Sequence, residues 1–194
     1  MSNTKKIGIF IYKYSLCNSP SIINLGTELA KYNFTVDYFT SESVVDNIKF
    51  NSSKIRIFSL DGAFSNLNLT TFLRKLIPVR FRQSLANIYY SIKGPRFLYE
   101  KRMTIVEKEM RTTLKHLIGA TKDIIEDEQY RCFIGVEPGG LMWASEMVKN
   151  RNVPIIYYNL ELGMWEDYDS DIIWNILNKY ERLLNRYAVA TITQ

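Results

Sequence analysis

Glu137, Gly139, Gly140 and Glu161 are the residues whose types and spacing are best suited to chemistry. Glu137 follows the apolar run Cys132 to Val136 and stands just before a helical pattern. A carboxylate at such a junction can take a proton from a hydroxyl or anchor that hydroxyl. It can equally be a structural group held by the first amides of the helix. The Gly139-Gly140 pair can admit a ligand to bare backbone amides, or it can answer a steric need of the turn. Glu161 closes a second apolar run and can contact a ligand or cap the loop after it. Trp165 and Tyr168 in that loop can stack on a sugar ring or a lipid, or pack over a sheet edge.

The elements that must position these residues form one βαβ unit over 130–163. Cys132 to Val136 has strand length, and Glu137-Pro138-Gly139-Gly140 punctuates it as a turn. Leu141, Ala144, Met147 and Val148 repeat at helical spacing, and Val153 to Leu160 is a second β-rich run. Apolar strands joined by a helix belong to a buried parallel sheet. Ligands of such sheets bind beyond the carboxyl ends of the strands. Upstream, Ile7 to Tyr12, Thr35 to Thr40 and Lys54 to Leu60 read as strands. Ser19-Pro20 opens a helix whose face is Ile22, Leu25, Leu29 and Tyr32. Tyr99, Met103, Val106, Met110, Leu114 and Leu117 mark a longer amphipathic helix. Ile172 to Tyr187 carries a further helical stripe, with Asp169-Ser170-Asp171 as its cap and first turn. Ala188 to Thr193 is a sixth strand, expected to be buried. The predicted fold is α/β: a Rossmann-like, doubly wound parallel sheet of order 3-2-1-4-5-6 with right-handed crossovers, flanked by helices.

The 194 residues suffice for one domain with a substantial core, and 46% hydrophobic with 23% charged residues is ordinary for a globular chain. We expect 1–194 to be that single domain. No apolar run approaches the length of a membrane span. The lysines before Ile7 resemble a signal peptide only superficially, because the run is short and no small-residue cleavage site follows. Cys17 and Cys132 are too few for a disulfide framework and lack zinc spacing, which predicts reduced core thiols and a cytoplasmic protein. The single histidine, His116, falls on the long helix and reads as solvated.

The net charge of +5 is unevenly spread. Residues 64–118 hold 11 Lys and Arg against 3 acids, a balance of +8; the rest of the chain, with 14 basic and 17 acidic residues, stands at −3. No acid lies between Asp61 and Glu100. The segment therefore reads as a basic helical insertion facing an anionic partner. One reading is a membrane-surface element: Phe72, Leu73, Leu76, Ile77 and Phe81 enter the headgroup boundary while Arg74, Lys75, Arg80 and Arg82 meet anionic lipid. The other is an insertion packed on the domain with solvated cations. The long run without acids favours the first. No nucleic-acid-binding motif is present, so a nucleic-acid partner is not expected.

Three stretches carry a resemblance to a known family. Residues 6–40 resemble a strand-helix-strand opening. FIGVEPGGLMWASEMVKNRNVPIIYYNLEL at 133–162 resembles a small-residue turn followed by a strand ending near a glutamate, and ERLLNRYAVATITQ at 181–194 resembles an acidic residue, a helix and a strand leading to a second domain. In this order they resemble the N-terminal, acceptor-side domain of GT-B fold glycosyltransferases. The group is the family-4-like one that builds bacterial polysaccharides and lipopolysaccharide. The resemblance leaves out 61–128. It implies a hexosyltransferase-type enzyme when the whole protein is present, with this half alone inactive. It places the nucleotide-sugar donor in a C-terminal GT-B domain, with no cofactor bound here. It assigns glycan or lipid-linked acceptor contacts to Lys13, Tyr14, Ser15, Gly139, Gly140, Glu161 and Trp165, and a catalytic role to Glu137. It also implies a location at the inner face of the cell membrane. The loop Lys13 to Asn18 departs from the family's glycine-rich pattern, and no GxGxxG is present, which argues against direct dinucleotide binding. Alternatives are a non-catalytic, membrane-recruiting subunit of a split glycosyltransferase and an unrelated Rossmann-like binding protein.

Overall fold

The computed structural model describes residues 5–12, 16–42, 48, 50–60, 95–149, 151–160 and 170–193. Six strands, β1 (Lys6–Ile11), β2 (Thr35–Thr40), β3 (Ile55–Ser59), β4 (Cys132–Val136), β5 (Ile155–Asn159) and β6 (Ala188–Thr193), form one sheet of order β3-β2-β1-β4-β5-β6. Every pairing is parallel. The apolar, β-branched runs of β1 and β4 suit central strands covered on both faces, and both are almost wholly buried. This is the doubly wound topology expected from the sequence.

Side chains alternate between two cores. Ile7, Ile9, Ile11, Val36, Tyr38, Ile134 and Val136 pack with α1 (Pro20–Lys31) on one face. Phe10, Phe39, Phe133, Ile155 and Tyr157 pack on the other with α2 (Pro95–Ile125), α3 (Glu137–Val148) and α4 (Ser170–Leu184). Right-handed crossovers force this division, because the chain leaves β1 toward β2 and leaves β4 toward β5 in opposite directions. The direction changes between β1 and β4.

Local chemistry sets the helix ends. Pro20 occupies the first position of α1, where a missing N–H costs nothing. Ser19 makes no side-chain capping bond; its carbonyl accepts from Ile22 N at 3.1 Å and Ile23 N at 3.0 Å. Asn33, at φ 68°, stops the helix, with Asn33 N donating to Ala30 O and Phe34 N to Leu29 O. Asparagine tolerates this left-handed position better than most residues.

Three elements differ from the sequence expectation. The long helix runs 31 residues rather than ending near Leu117. Gly119 does not break it, because Gly119 sits on the exposed side with nothing within 4 Å of an added Cβ. Its cost of about 1 kcal/mol is outweighed by burial of Leu114, Leu117 and Ile125 on the opposite side. Residues 137–140 are the first turn of α3 rather than a separate turn. Finally, β6 is an exposed edge strand, not a buried one: Val189 is 68% and Ile192 42% exposed. Among the described residues it pairs with β5 alone, and an irregularity in that pairing at Ile155/Ile156 interrupts the ladder.

The amino end of the sheet is tied by a polar cluster. Asp37 on β2 is fully buried and accepts from Arg56 Nε and Nη2, each at 2.7 Å, and from Tyr130 Oη at 2.6 Å. Lys6 pairs with Glu128, which also lies 3.5 Å from Arg56. Burial, followed by the hydrogen bond to Asp37, pushes the Tyr130 phenol up. The hydrogen bond from Arg56 to Asp37 raises the guanidinium further still. This cluster joins β1, β2, β3 and the approach to β4 at the end of the sheet opposite the candidate site.

Candidate functional site

The residues nearest the switch between β1 and β4 lie at the carboxyl rim of the sheet. Ile11 is level with Val136, so Tyr12 and Glu137 are the next residues out on adjacent strands. Tyr12 is 6% exposed and Glu137 8% exposed. The rim continues through Thr40, the last residue of β2, and Ser41 after it, and through Asn159, the last residue of β5, and Leu160 after it. Ser41 N donates to Ile11 O at 3.2 Å and Leu60 N to Thr40 O at 2.9 Å, which extends the ladder outward.

Glu137 joins strand and helix without a loop. Val136 is extended (φ −90°, ψ 125°), Glu137 has φ 57°, and α3 follows at once. A non-glycine residue in this left-handed region costs on the order of 1–3 kcal/mol, and it persists only where the surroundings fix it. Two contacts do so here. The carboxylate Oε1 accepts from Leu160 N at 2.7 Å, linking the ends of β4 and β5. The helix also fits against the sheet through glycines. A Cβ on Gly140 would lie 2.2 Å from Phe10 O, one on Gly135 2.5 Å from Leu141 Cα, and one on Gly139 2.6 Å from Tyr12 Cδ1. Only hydrogen can stand at these places, so the close packing of α3 on β1 and β4 gives the glycines a steric role.

The charge of Glu137 reaches its neighbours. Tyr157 Oη donates to Glu181 Oε1 at 2.8 Å. Burial raises the Tyr157 phenol most, then the Glu181 contact, with a smaller contribution from the Glu137 charge. Burial likewise raises Tyr12, against the effect of a hydrogen bond with Thr113. Near Glu137 these phenols therefore stay protonated, able to donate.

Glu137, Gly139 and Gly140 are thus brought together at the β1–β4 rim. Lys13, Tyr14, Ser15, Glu161, Trp165 and Tyr168 lie outside the described residues, as do Phe72, Leu73, Arg74, Lys75, Arg80, Phe81 and Arg82 and the cap residue Asp169. Sequence reasoning missed Tyr12 as the residue opposite Gly139, and Leu160 N–H as the partner of Glu137. The signal for Tyr12 was its place at the carboxyl end of the first strand; nothing local signals the Leu160 contact. Among the described residues, no group of three or more His, Cys, Asp or Glu could hold a metal ion. Cys17 and Cys132 are free thiols, and burial raises that of Cys132. No described helix is long and apolar enough to cross a membrane.

No family model matches the sequence, and no curated protein matches it either. Solved structures do. The calicheamicin glycosyltransferase CalG4 superposes with a TM-score of 0.52 at 10% identity, over 95% of this chain and 43% of that one. Sucrose-phosphate synthase from Thermosynechococcus elongatus gives a TM-score of 0.48 at 15% identity, over 98% of this chain and 47% of that one. The fold is Rossmann-like, and the likeness to CalG4 is one of fold alone. The chain spans less than half the length of either structure.

Proposed function

We propose that the chain is the acceptor-side domain of a GT-B glycosyltransferase. The observation that carries this reading is the fold likeness to CalG4 over 95% of the chain but only 43% of that enzyme, combined with a doubly wound sheet whose switch point lies at the β1–β4 rim. A nucleotide-sugar donor would sit in a second domain facing that rim, and the sugar would pass to a glycan or lipid-linked acceptor. The GxGxxG signature for cradling a diphosphate is absent from this half, which supports giving the donor to the other. The second domain would also stabilise the leaving diphosphate.

The carboxyl rim would meet the acceptor. Glu137 is the proposed base or hydroxyl anchor, with one carboxylate oxygen held by Leu160 N–H. Acceptor contacts would come from Lys13, Tyr14 and Ser15, from Gly139 and Gly140, and from Glu161 and Trp165. The family-4-like and polysaccharide-building assignments belong to this proposal as well.

The test is titration of the chain with UDP- and GDP-sugars by calorimetry, alongside a transfer assay with lipid-linked acceptors. We expect no turnover and no submicromolar donor binding from this domain alone. Tight binding of a sugar nucleotide here would refute the division of labour.

A further inference from the structure

Apolar exposure gathers at one side of the sheet. Leu183, Tyr187, Val189 and Ile192 are four of the seven large apolar side chains exposed among the described residues. Leu183 lies in the last turn of α4, Tyr187 leads into β6, and Val189 and Ile192 stand on β6 itself. Arg186 supports the Tyr187 ring, with its guanidinium carbon 4.9 Å from the ring centre and Nη2 donating to Oη at 3.0 Å. Together they present on the order of a few hundred Å² of apolar surface, the size that marks an interaction site. The outer edge of β6 pairs with no described strand. Its sequence, AVATIT, holds neither the charge nor the proline that keeps an edge from pairing. The irregularity against β5 affects only its first residues; from Ala190 to Thr193 the pairing is regular.

We propose that the β6 edge pairs with the same edge of a second copy of the chain, antiparallel about a two-fold axis at Thr191. A two-fold contact sets the strand against its own reverse, so a charge near the axis would meet its like. β6 has no charge to meet. Residues directly opposite in an antiparallel pair face the same side of the sheet. Ala190 and Ile192 are level with Ile156 and Tyr158, on the α1 side, whereas Thr191 is level with Tyr157, on the other. Centring on Thr191 sets Ala190 against Ile192 of the partner subunit, small against large, twice over. Thr191 then meets its own counterpart, a favourable cross-strand pair. Centring on Ala190 fails, because Ala188, level with Ile155 on the Tyr157 side, would oppose Ile192 on the α1 side. A foreign strand would place no such symmetric demand on Ala190-Thr191-Ile192. The apolar patch is smaller than the roughly 800 Å² per partner of a standard interface, so the dimer is reversible, with a Kd on the order of 10–100 µM. The contact lies along the side of the sheet, away from the β1–β4 rim, and does not rest on the sugar-transfer reading.

The experiment is sedimentation velocity of the chain from about 2 to 200 µM, a range that brackets this Kd, where a monomer–dimer equilibrium should appear. Two cysteine variants locate the axis, each with Cys17→Ser so that the part-exposed native thiol cannot crosslink. Thr191→Cys should close an intermolecular disulfide in oxidising buffer, because opposed residues have Cα atoms about 4.5–5.5 Å apart, within disulfide reach. Val189→Cys should not, because its counterpart lies four residues, about 13 Å, along the strand. Thr191→Lys sets two like charges face to face and should weaken association about fivefold, with unchanged circular dichroism and melting. If that variant fails to fold, the cysteine pair still decides. A chain that stays monomeric throughout the range overturns the inference. So do aggregates without a dimer step, an undiminished dimer in folded Thr191→Lys, or Thr191→Cys crosslinking no faster than Val189→Cys.

Discussion

Replacing Gly140 with alanine tests the seating of α3 on the sheet. The new methyl would lie 2.2 Å from Phe10 O, 3.2 Å from Phe10 C and 3.4 Å from Gly135 C. A carbon meeting a carbonyl oxygen needs about 3.3 Å. The helix must therefore withdraw by about 1 Å, since both partners are backbone and neither can rotate away. A gap of that size forfeits roughly a quarter to a half of each dispersion contact it opens. Those contacts include fully buried Leu141 and Trp143 against Phe10. Overpacking a tight core costs about 1–3 kcal/mol, and here the upper end applies. Alanine returns about 1 kcal/mol as a better helix former. The net loss is about 2 kcal/mol, or roughly 4–8 °C in Tm for a domain of this size. Urea unfolding should show a lower midpoint with an unchanged m-value. Gly119→Ala serves as the contrast, because its Cβ meets open space; it should stabilise by about 0.5–1 kcal/mol. If Gly140→Ala shifted stability by less than about 0.5 kcal/mol, the close approach inferred at β1 would be wrong.

Arg56→Ala should destabilise more than Asp37→Asn, by about 3–5 against about 2 kcal/mol. The first strands a fully buried carboxylate with only Tyr130, whereas the second leaves a half-exposed guanidinium that water can reach; equal losses in urea unfolding would contradict this asymmetry. The Tyr180 hydrogen bond, aided by Arg111 and Lys179, holds the Glu107 carboxyl below its ordinary range. The unfolded chain therefore binds the proton more readily, so this contribution is complete above the unfolded pKa of about 4.3 and fades as pH falls through the lowered value. Glu107→Gln should flatten the acid limb of a stability-versus-pH curve, and an unchanged limb would refute the coupling. Glu137→Gln keeps an oxygen for Leu160 N–H, so it should leave stability within about 1 kcal/mol. In the complete enzyme it should cut turnover roughly a hundredfold or more if Glu137 is a base. A near-wild-type rate would leave it a structural residue.

Much of the architecture was legible from periodicity. The bounds of β2, β4 and β6 coincide with the runs read from sequence, and β4 stands out most clearly because a parallel strand covered on both faces needs apolar residues facing both layers. The strand order followed from handedness and the strand-helix alternation. Of the candidate site, the position of Glu137, Gly139 and Gly140 at the rim was legible, since rim residues immediately follow strands.

Tertiary structure alone decided how those residues are held. The sequence marks a glutamate before two glycines, but the left-handed φ of Glu137 and its bond to Leu160, 23 residues away, depend on β4 and β5 lying side by side. In the sequence Asp37 is only one polar residue within the strand run Thr35 to Thr40. Its burial against Arg56 and Tyr130, the latter 93 residues distant, follows from sheet register. The exposure of β6 likewise reflects its place at the sheet edge rather than its apolar composition. Local patterns fix which elements form, because propensity and period act over a few residues. Which side chains then meet depends on register and crossover, and these are properties of the assembled sheet.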